Sequence, residues 1–223
     1  MLLTVVVLIV AVAATGVAMD HDGMDAGRRD DRAMDSGAMD GGGGMPGGMV
    51  HEKLPAMDPL TGYSLYHLDA VWTDHRGDSF PLANFRGRPV IVTMIFTRCV
   101  GSCPVLMQDA RRLYNELPPE LREETALLGI TFDHEYDTPE VLRSYAEYRH
   151  YNDPNWHFLH GDRGQIREIA TALGIQYSFR DNGMIAHTDR IVVLDREGQI
   201  VDTLDGILQP VQAAAQALTA AVR

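Results

Sequence analysis

The sequence predicts an α/β domain, a mixed central sheet with helices packed on both faces and an amino-terminal β-hairpin added to it. Three observations predict this. Val90-Ile91-Val92-Thr93-Met94-Ile95-Phe96 is a continuous apolar run rich in β-branched residues, the pattern of a strand buried on both faces. From there on, strand-like segments alternate with segments whose apolar residues recur at helical spacing, as in a sheet covered by crossover helices. The chain then ends in two strand-like segments around a tight turn and a last helix, which makes part of the sheet antiparallel.

Each element has its own justification. Tyr66 to Trp72 alternates as a strand, Asp74-His75-Arg76-Gly77-Asp78 forms a turn, and Phe80 to Phe85 returns, giving the hairpin. Gly87-Arg88-Pro89 separates it from the central strand at 90–96. After Pro104, Leu106, Ala110, Leu113 and Leu117 share one helical face, and Pro118-Pro119 stops that helix. A strand follows from Ala126 to Phe132. Asp137-Thr138-Pro139-Glu140 opens the next helix with a capping side chain, a first-turn proline and a returning Glu, turning Val141, Leu142 and Tyr145 inward. Then come a short strand at His157 to Leu159 and a helix from Arg163 to Leu173 closed by Gly174. Strands at 191–194 and 199–202 flank Asp195-Arg196-Glu197-Gly198, whose glycine suits positive φ. A helix after Pro210 carries Val211, Ala214, Ala215, Leu218 and Val222. This order is the layout of a thioredoxin-like domain, assigned to residues 61–223.

The first sixty residues read differently. Leu2 to Ala14 is an uncharged apolar run followed by small residues, which makes residues 1–18 either an export signal, cleaved after Gly16-Val17-Ala18, or a membrane anchor close to the ~20 residues that span a bilayer. Either reading puts the working compartment outside the cytoplasm, periplasmic in a bacterium. Residues 19–60 form a tether rich in Asp, Gly and Met. Met19, Met24, Met34, Met39, Met45 and Met49 lie where there is no core to fill, so the tether is either an acidic linker or a loose collector of soft metal flanked by His21 and His51. With 45% hydrophobic residues the chain is neither wholly disordered nor a multi-pass membrane protein. Its net charge of -12 repels phosphate backbones, so nucleic acid is excluded as a partner.

Two cysteines, Cys99 and Cys103, are all the chain has, too few for a disulfide scaffold or a four-cysteine zinc site. They lie at the carboxyl end of the central strand, where open α/β sheets hold their ligands. Pro104 at the first helical position makes Cys103 the expected helix cap, and Gly101 is expected to let the loop curl. The helix N-terminus and Arg98 both favour thiolate over thiol. Three intervening residues open the pair wider than a thioredoxin-type dithiol, enough to hold one soft ion between two sulfurs. A third ligand is then needed. His187 in Gly183-Met184-Ile185-Ala186-His187-Thr188-Asp189 is the candidate, on the loop before the strand at Ile191. A Cys-Cys-His set serves both Cu(I) and Cu(II).

On three segments the chain resembles the Sco/SenC copper chaperones of cytochrome c oxidase assembly: residues 96–104, the block from Thr131 to Leu142, and His187-Thr188-Asp189-Arg190-Ile191. The resemblance runs from about Tyr63 to Val222. It implies an exported or membrane-attached protein that binds one copper through Cys99, Cys103 and His187. It further implies a partner in the copper-site subunit of the oxidase or another copper protein, which receives copper or has its cysteines kept reduced. The chain departs from the family in having Val100-Gly101-Ser102 between its cysteines, His134 where proline is usual, and Thr188 where serine is common. Asp133 is either a partner that orients the site or a turn residue.

A second reading is a thiol-disulfide oxidoreductase, with Cys99 as nucleophile, Cys103 as resolving thiol and a thiol-disulfide reductant as partner. A peroxidase is disfavoured, because Phe96 stands where such a motif places threonine three residues before the cysteine. His67, His75, His134, His150, His157 and His160 fit no metal spacing and read as surface or core residues. Trp72 and Trp156 read as packing.

Overall fold

The computed structural model describes residues 52–223. The expected signal or anchor at 1–18, and the Met-rich part of the tether through His51, lie outside the described residues.

Strands β1 (Val71–Asp74) and β2 (Ser79–Pro81) form the expected hairpin around Gly77, at φ 95°. The stretch before β1 does not extend that strand to Tyr66. Leu65–His67 is instead a 3-10 turn, because Ser64 Oγ accepts the Tyr66 N–H at 3.2 Å and Leu65 and Tyr66 turn into the core. A second 3-10 turn, Leu82–Phe85, leads to β3 (Val90–Ile95), every residue of which is buried.

After β3 come α1 (Ser102–Glu116), the short α2 (Pro119–Glu124), β4 (Ala126–Thr131), α3 (Pro139–Tyr148), β5 (Trp156–His160) and α4 (Arg163–Ala172). The proline pair that stops α1 also starts α2, since proline is tolerated in a first helical turn. Helix α3 is capped by Thr138, whose side chain accepts the Val141 N–H, and α4 by a reciprocal Asp162–Gln165 box. A ribbon of β6 (Tyr177–Phe179) and β7 (Ile185–His187), absent from the sequence expectation, precedes β8 (Arg190–Leu194), β9 (Ile200–Asp205) and α5 (Gln212–Ala221).

The main sheet has the order β2-β1-β5-β4-β3-β8-β9. Strands β3, β4 and β5 run parallel, whereas β8 and β9 close the sheet antiparallel, giving the mixed thioredoxin-like layout. Helix α1 packs on β3, β4 and β8 and against α5. Val90 and Val92 of β3, with Leu128 and Ile130 of β4, face Ile169 of α4, Leu65 and Leu82 around one small apolar void.

Residues 52–60, assigned to the tether on composition, are hydrogen-bonded to the domain. Leu54 N–H donates to the His187 carbonyl at 3.1 Å, Met57 N–H to Gly174 at 3.0 Å and Leu60 N–H to Ala172 at 3.0 Å. Among the described residues no helix is long and apolar enough to cross a membrane.

Candidate metal centre

The register of the sheet gathers the site. Ile95 pairs with Thr131, so the cysteine loop after β3 and the turn after β4 leave the sheet side by side. Thr93 pairs antiparallel with Ile191, which returns the start of β8, and the residues before it, to the same end. Cys99, Cys103 and His187 meet there, with one ligand atom from each within 4.8 Å of the others. All three are buried, His187 completely. Cys103 Sγ lies 3.4 Å from His187 Nε2, and the sulfurs are not joined.

The local chemistry separates the two sulfurs. Cys103 is the second residue of α1 and not its cap; Gly101 occupies that position with φ -97°, so the loop turns without a left-handed residue. Cys99 therefore lies just ahead of the first helical amides. A hydrogen bond from the Cys103 thiol is the main cause that holds Cys99 down to about 4, assisted by the Cys103 and Gly101 N–H groups against the opposing effect of burial. Burial, together with the neighbouring Cys99, raises Cys103 well above the ordinary thiol range. The pair is thus held as one thiolate and one thiol.

His187 ends β7; it is a strand residue, not the loop residue expected. Its Nδ1 lies 3.1 Å from the Thr188 carbonyl and 3.5 Å from Asp189 Oδ1, an arrangement that assigns the ring proton to Nδ1 and leaves the Nε2 lone pair facing sulfur. Phe132 lies against the imidazole at 4.9 Å between ring centroids, tilted by 32°, and Phe96 meets it edge-on at 6.0 Å. These rings, themselves buried, cover two sides of the imidazole.

The loop before Cys99 is held by two carboxylates. Buried Asp137 accepts the Thr97 N–H at 2.9 Å, the Thr97 hydroxyl and the Thr131 hydroxyl at 2.6 Å, and burial raises its pKa. The helix cap expected of the Asp137-Thr138 pair belongs to Thr138, which frees Asp137 for this role. Asp133 receives the Arg98 guanidinium at 2.6 Å and accepts the Tyr136 N–H in its turn, so it is a turn residue that also restrains the residue next to Cys99. Arg98 lies over the Tyr136 ring at 4.2 Å, and its charge is engaged by Asp133.

Asp189, Phe132 and Asp137 were missed as site residues. The spacing of Asp189, two residues after His187, was a signal that could have found it. Of the remaining histidines, His75 and His157 flank buried Asp74 at the β1–β5 pairing, away from the thiols in sequence and in contacts. Two sulfurs and one unprotonated imidazole nitrogen in a water-poor pocket suit a soft or borderline ion.

The SCO1/SenC family model matches residues 68–223. A Stutzerimonas stutzeri protein whose name describes it as copper-binding is 28% identical over 131 residues, covering 57% of this chain and 63% of its own length. The mitochondrial SCO2 homologue of Bos taurus is 31% identical over 140 residues, covering 58% and 50%. The chain therefore spans between half and two thirds of the length of these relatives. Among solved structures, a SCO1/SenC family lipoprotein from Bacillus anthracis superposes with a TM-score of 0.63 at 19% identity, over 75% of this chain and 99% of that one. The copper-bound ScoI of Bradyrhizobium japonicum gives 0.57 at 22%, over 69% and 97%. At these identities the structural likeness is one of fold.

Proposed function

The chain belongs to the SCO1/SenC family, and on that footing we propose that it is an extracytoplasmic metallochaperone whose cargo is a single copper ion held by Cys99, Cys103 and His187. The observation that carries this reading is the convergence of those three side chains, buried and within 4.8 Å, two from an adjoining loop and helix and the third from a strand 84 residues beyond Cys103. Cys99 offers a thiolate, Cys103 becomes one by giving up its proton, and His187 presents Nε2 with its other nitrogen bonded to the Thr188 carbonyl. Copper bound there is retained by soft sulfur in the +1 state and by sulfur with imidazole in the +2 state. The client is the binuclear copper site of cytochrome c oxidase or a copper protein of like chemistry. Residues 2–18 direct or anchor the protein outside the cytoplasm.

The test is metal analysis of reduced, purified protein. One copper per chain with sulfur-to-copper charge-transfer absorption is expected, lost in Cys99→Ala and Cys103→Ala and altered in His187→Ala. Unchanged affinity and spectrum in His187→Ala would sink the three-ligand site.

The unequal acidity of the two sulfurs favours a second activity, reduction of a client's disulfide. The Cys99 thiolate attacks one client sulfur and releases the other as thiolate. Cys103 then displaces the first, leaving the client dithiol reduced and Cys99–Cys103 oxidised, for a thiol reductant to restore. Metal-free turnover on a mixed disulfide, insensitive to His187→Ala, is its expected signature.

A further inference from the structure

The backbone of His187 is held along both edges, and one of those edges is supplied by chain from the far end of the domain. Strands β6 and β7 have three residues each, and a two-stranded ribbon of that size is marginal by itself. His187 pairs with Tyr177 on one side. On the other, Lys53 bridges to it in parallel register and the Leu54 N–H donates to its carbonyl at 3.1 Å. The residues that follow His187 secure the same segment. Thr188 Oγ1 donates to the Pro55 carbonyl at 2.8 Å while accepting the Gln176 N–H at 3.2 Å. The Arg190 guanidinium donates to the Met57 carbonyl at 2.7 Å, to Leu173 and Gly174 at 3.1 Å, and clamps Asp205 at 2.6 and 3.0 Å. Gly174, at φ 68°, receives the Met57 N–H; a Cβ there would come within 2.4 Å of the Met57 carbonyl oxygen.

We propose that residues 53–57 form a strap that positions His187 in the metal site, holding the end of β7 so that Nε2 stays against the Cys103 sulfur. The proposal rests on His187 being a ligand. Imidazole orientation depends on the path of its own backbone, and here that path is set by a third strand-like segment paired at the ligand residue itself. Without the strap, β7 keeps only its partner β6, and the imidazole loses the restraint that aims it at the sulfurs. Residues 53–57 therefore join the fold at the ligand residue and not at a remote edge of the sheet.

The experiment uses the full chain with Leu54→Pro, which removes the N–H that His187 accepts, beside Leu54→Ala, which keeps it. Thr188→Val, which removes both the Pro55 bond and the acceptor of the Gln176 N–H, is compared with Thr188→Ser, which restores the hydroxyl, in case Leu54→Pro does not fold. His187→Ala is the reference. In protein carrying one equivalent of Cu(II), Leu54→Pro and Thr188→Val are expected to move the electron paramagnetic resonance and charge-transfer spectra toward those of His187→Ala. Copper affinity should fall about tenfold, the usual scale for losing an outer support of a ligand. Leu54→Ala and Thr188→Ser should match the native protein. In metal-free protein, amide exchange at His187 and Thr188 should accelerate in the same two variants while β3 and β8 stay protected. Native spectra and affinity in both disrupting variants, alongside an altered His187→Ala, overturn the strap. A His187→Ala protein indistinguishable from native overturns the three-ligand reading and the strap with it.

Discussion

Cys99 should alkylate at a rate that is flat between pH 5 and pH 8. An ordinary thiol with a pKa near 9 is about 1% ionised at pH 7 and about 0.01% at pH 5, so its rate climbs roughly 100-fold between them. With Cys99 held at about 4, some nine tenths of it is already thiolate at pH 5, and almost nothing is gained above that. The price is intrinsic nucleophilicity: a Brønsted slope of ~0.45 over the ~5-unit shift lowers reactivity per thiolate by roughly 180-fold, so near pH 7 the two effects nearly cancel. Cys99 is only 2% exposed, and the reagent must wait for the loop to open. That step leaves the profile flat, because the ratio of opened to closed thiolate does not depend on pH. The assay is iodoacetamide modification of reduced, metal-free protein from pH 3.5 to 9, read by peptide mass. Cys103→Ala should restore a rising profile, since the Cys103 thiol is the main source of the depression. A native rate that climbs tenfold per unit between pH 5 and 8 would refute the argument.

Three further outcomes concern stability. Thr138→Ala removes the cap of α3 and should cost about 1 kcal/mol, a fall of a few degrees in Tm by calorimetry. Gly174→Ala combines a positive φ with contacts at 2.2 and 2.4 Å to Arg190 Nη1 and the Met57 carbonyl oxygen, and should lose more than about 1 kcal/mol in urea unfolding. His75 accepts the Phe158 N–H at 3.2 Å through Nδ1, and burial, with the Arg76 charge nearby, lowers its pKa from 6.5 to about 4. The unfolded chain therefore binds a proton that the folded one refuses, so this stability is complete above pH 6.5 and falls by up to about 3 kcal/mol as pH drops toward 4. Chemical denaturation at pH 7 and 4.5 should show a smaller difference in His75→Gln than in the native protein; equal differences would refute it.

The parts of the fold that were legible are those whose own residues carry the cause. β3 could be read because burial on both faces leaves an unbroken apolar run, and α3 because Thr138 and Pro139 are local start signals. The β6–β7 ribbon could not. Its strands are three residues long, half exposed on the β6 side, and joined by Arg180-Asp181-Asn182-Gly183-Met184, which reads only as loop. The strap was illegible for a related reason: Lys53 and Leu54 pair through backbone groups, which leave no side-chain pattern, with residues more than a hundred positions away. Cys99, Cys103 and His187 could be singled out by residue type and by the strand each adjoins. The roles of Asp137 and Asp189 depend on Thr97 and His187 being brought to them, which only the closed sheet does.

With Cys99, Cys103 and His187 as the proposed copper ligands, the asymmetry that sets Cys99 reactivity also sets how capture would depend on pH. Cys99 precedes α1 and collects its free amides, whereas Cys103 lies within the first turn, buried and beside a thiolate, and keeps its proton well past the ordinary thiol range. His187 contributes Nε2 in the tautomer whose proton is on Nδ1. Forming the three-ligand set near neutral pH therefore requires the departure of one proton, that of Cys103. Apparent Cu(I) affinity, measured by competition with a chelator whose own titration is known, should rise about tenfold per pH unit between 7 and 8. In Cys103→Ala, which removes one sulfur and the thiol that holds Cys99 down, copper binding should be lost. A slope near zero in the native protein would mean that both sulfurs are already ionised, and a slope near two that neither is; either result removes the thiol–thiolate hydrogen bond from the account of this site.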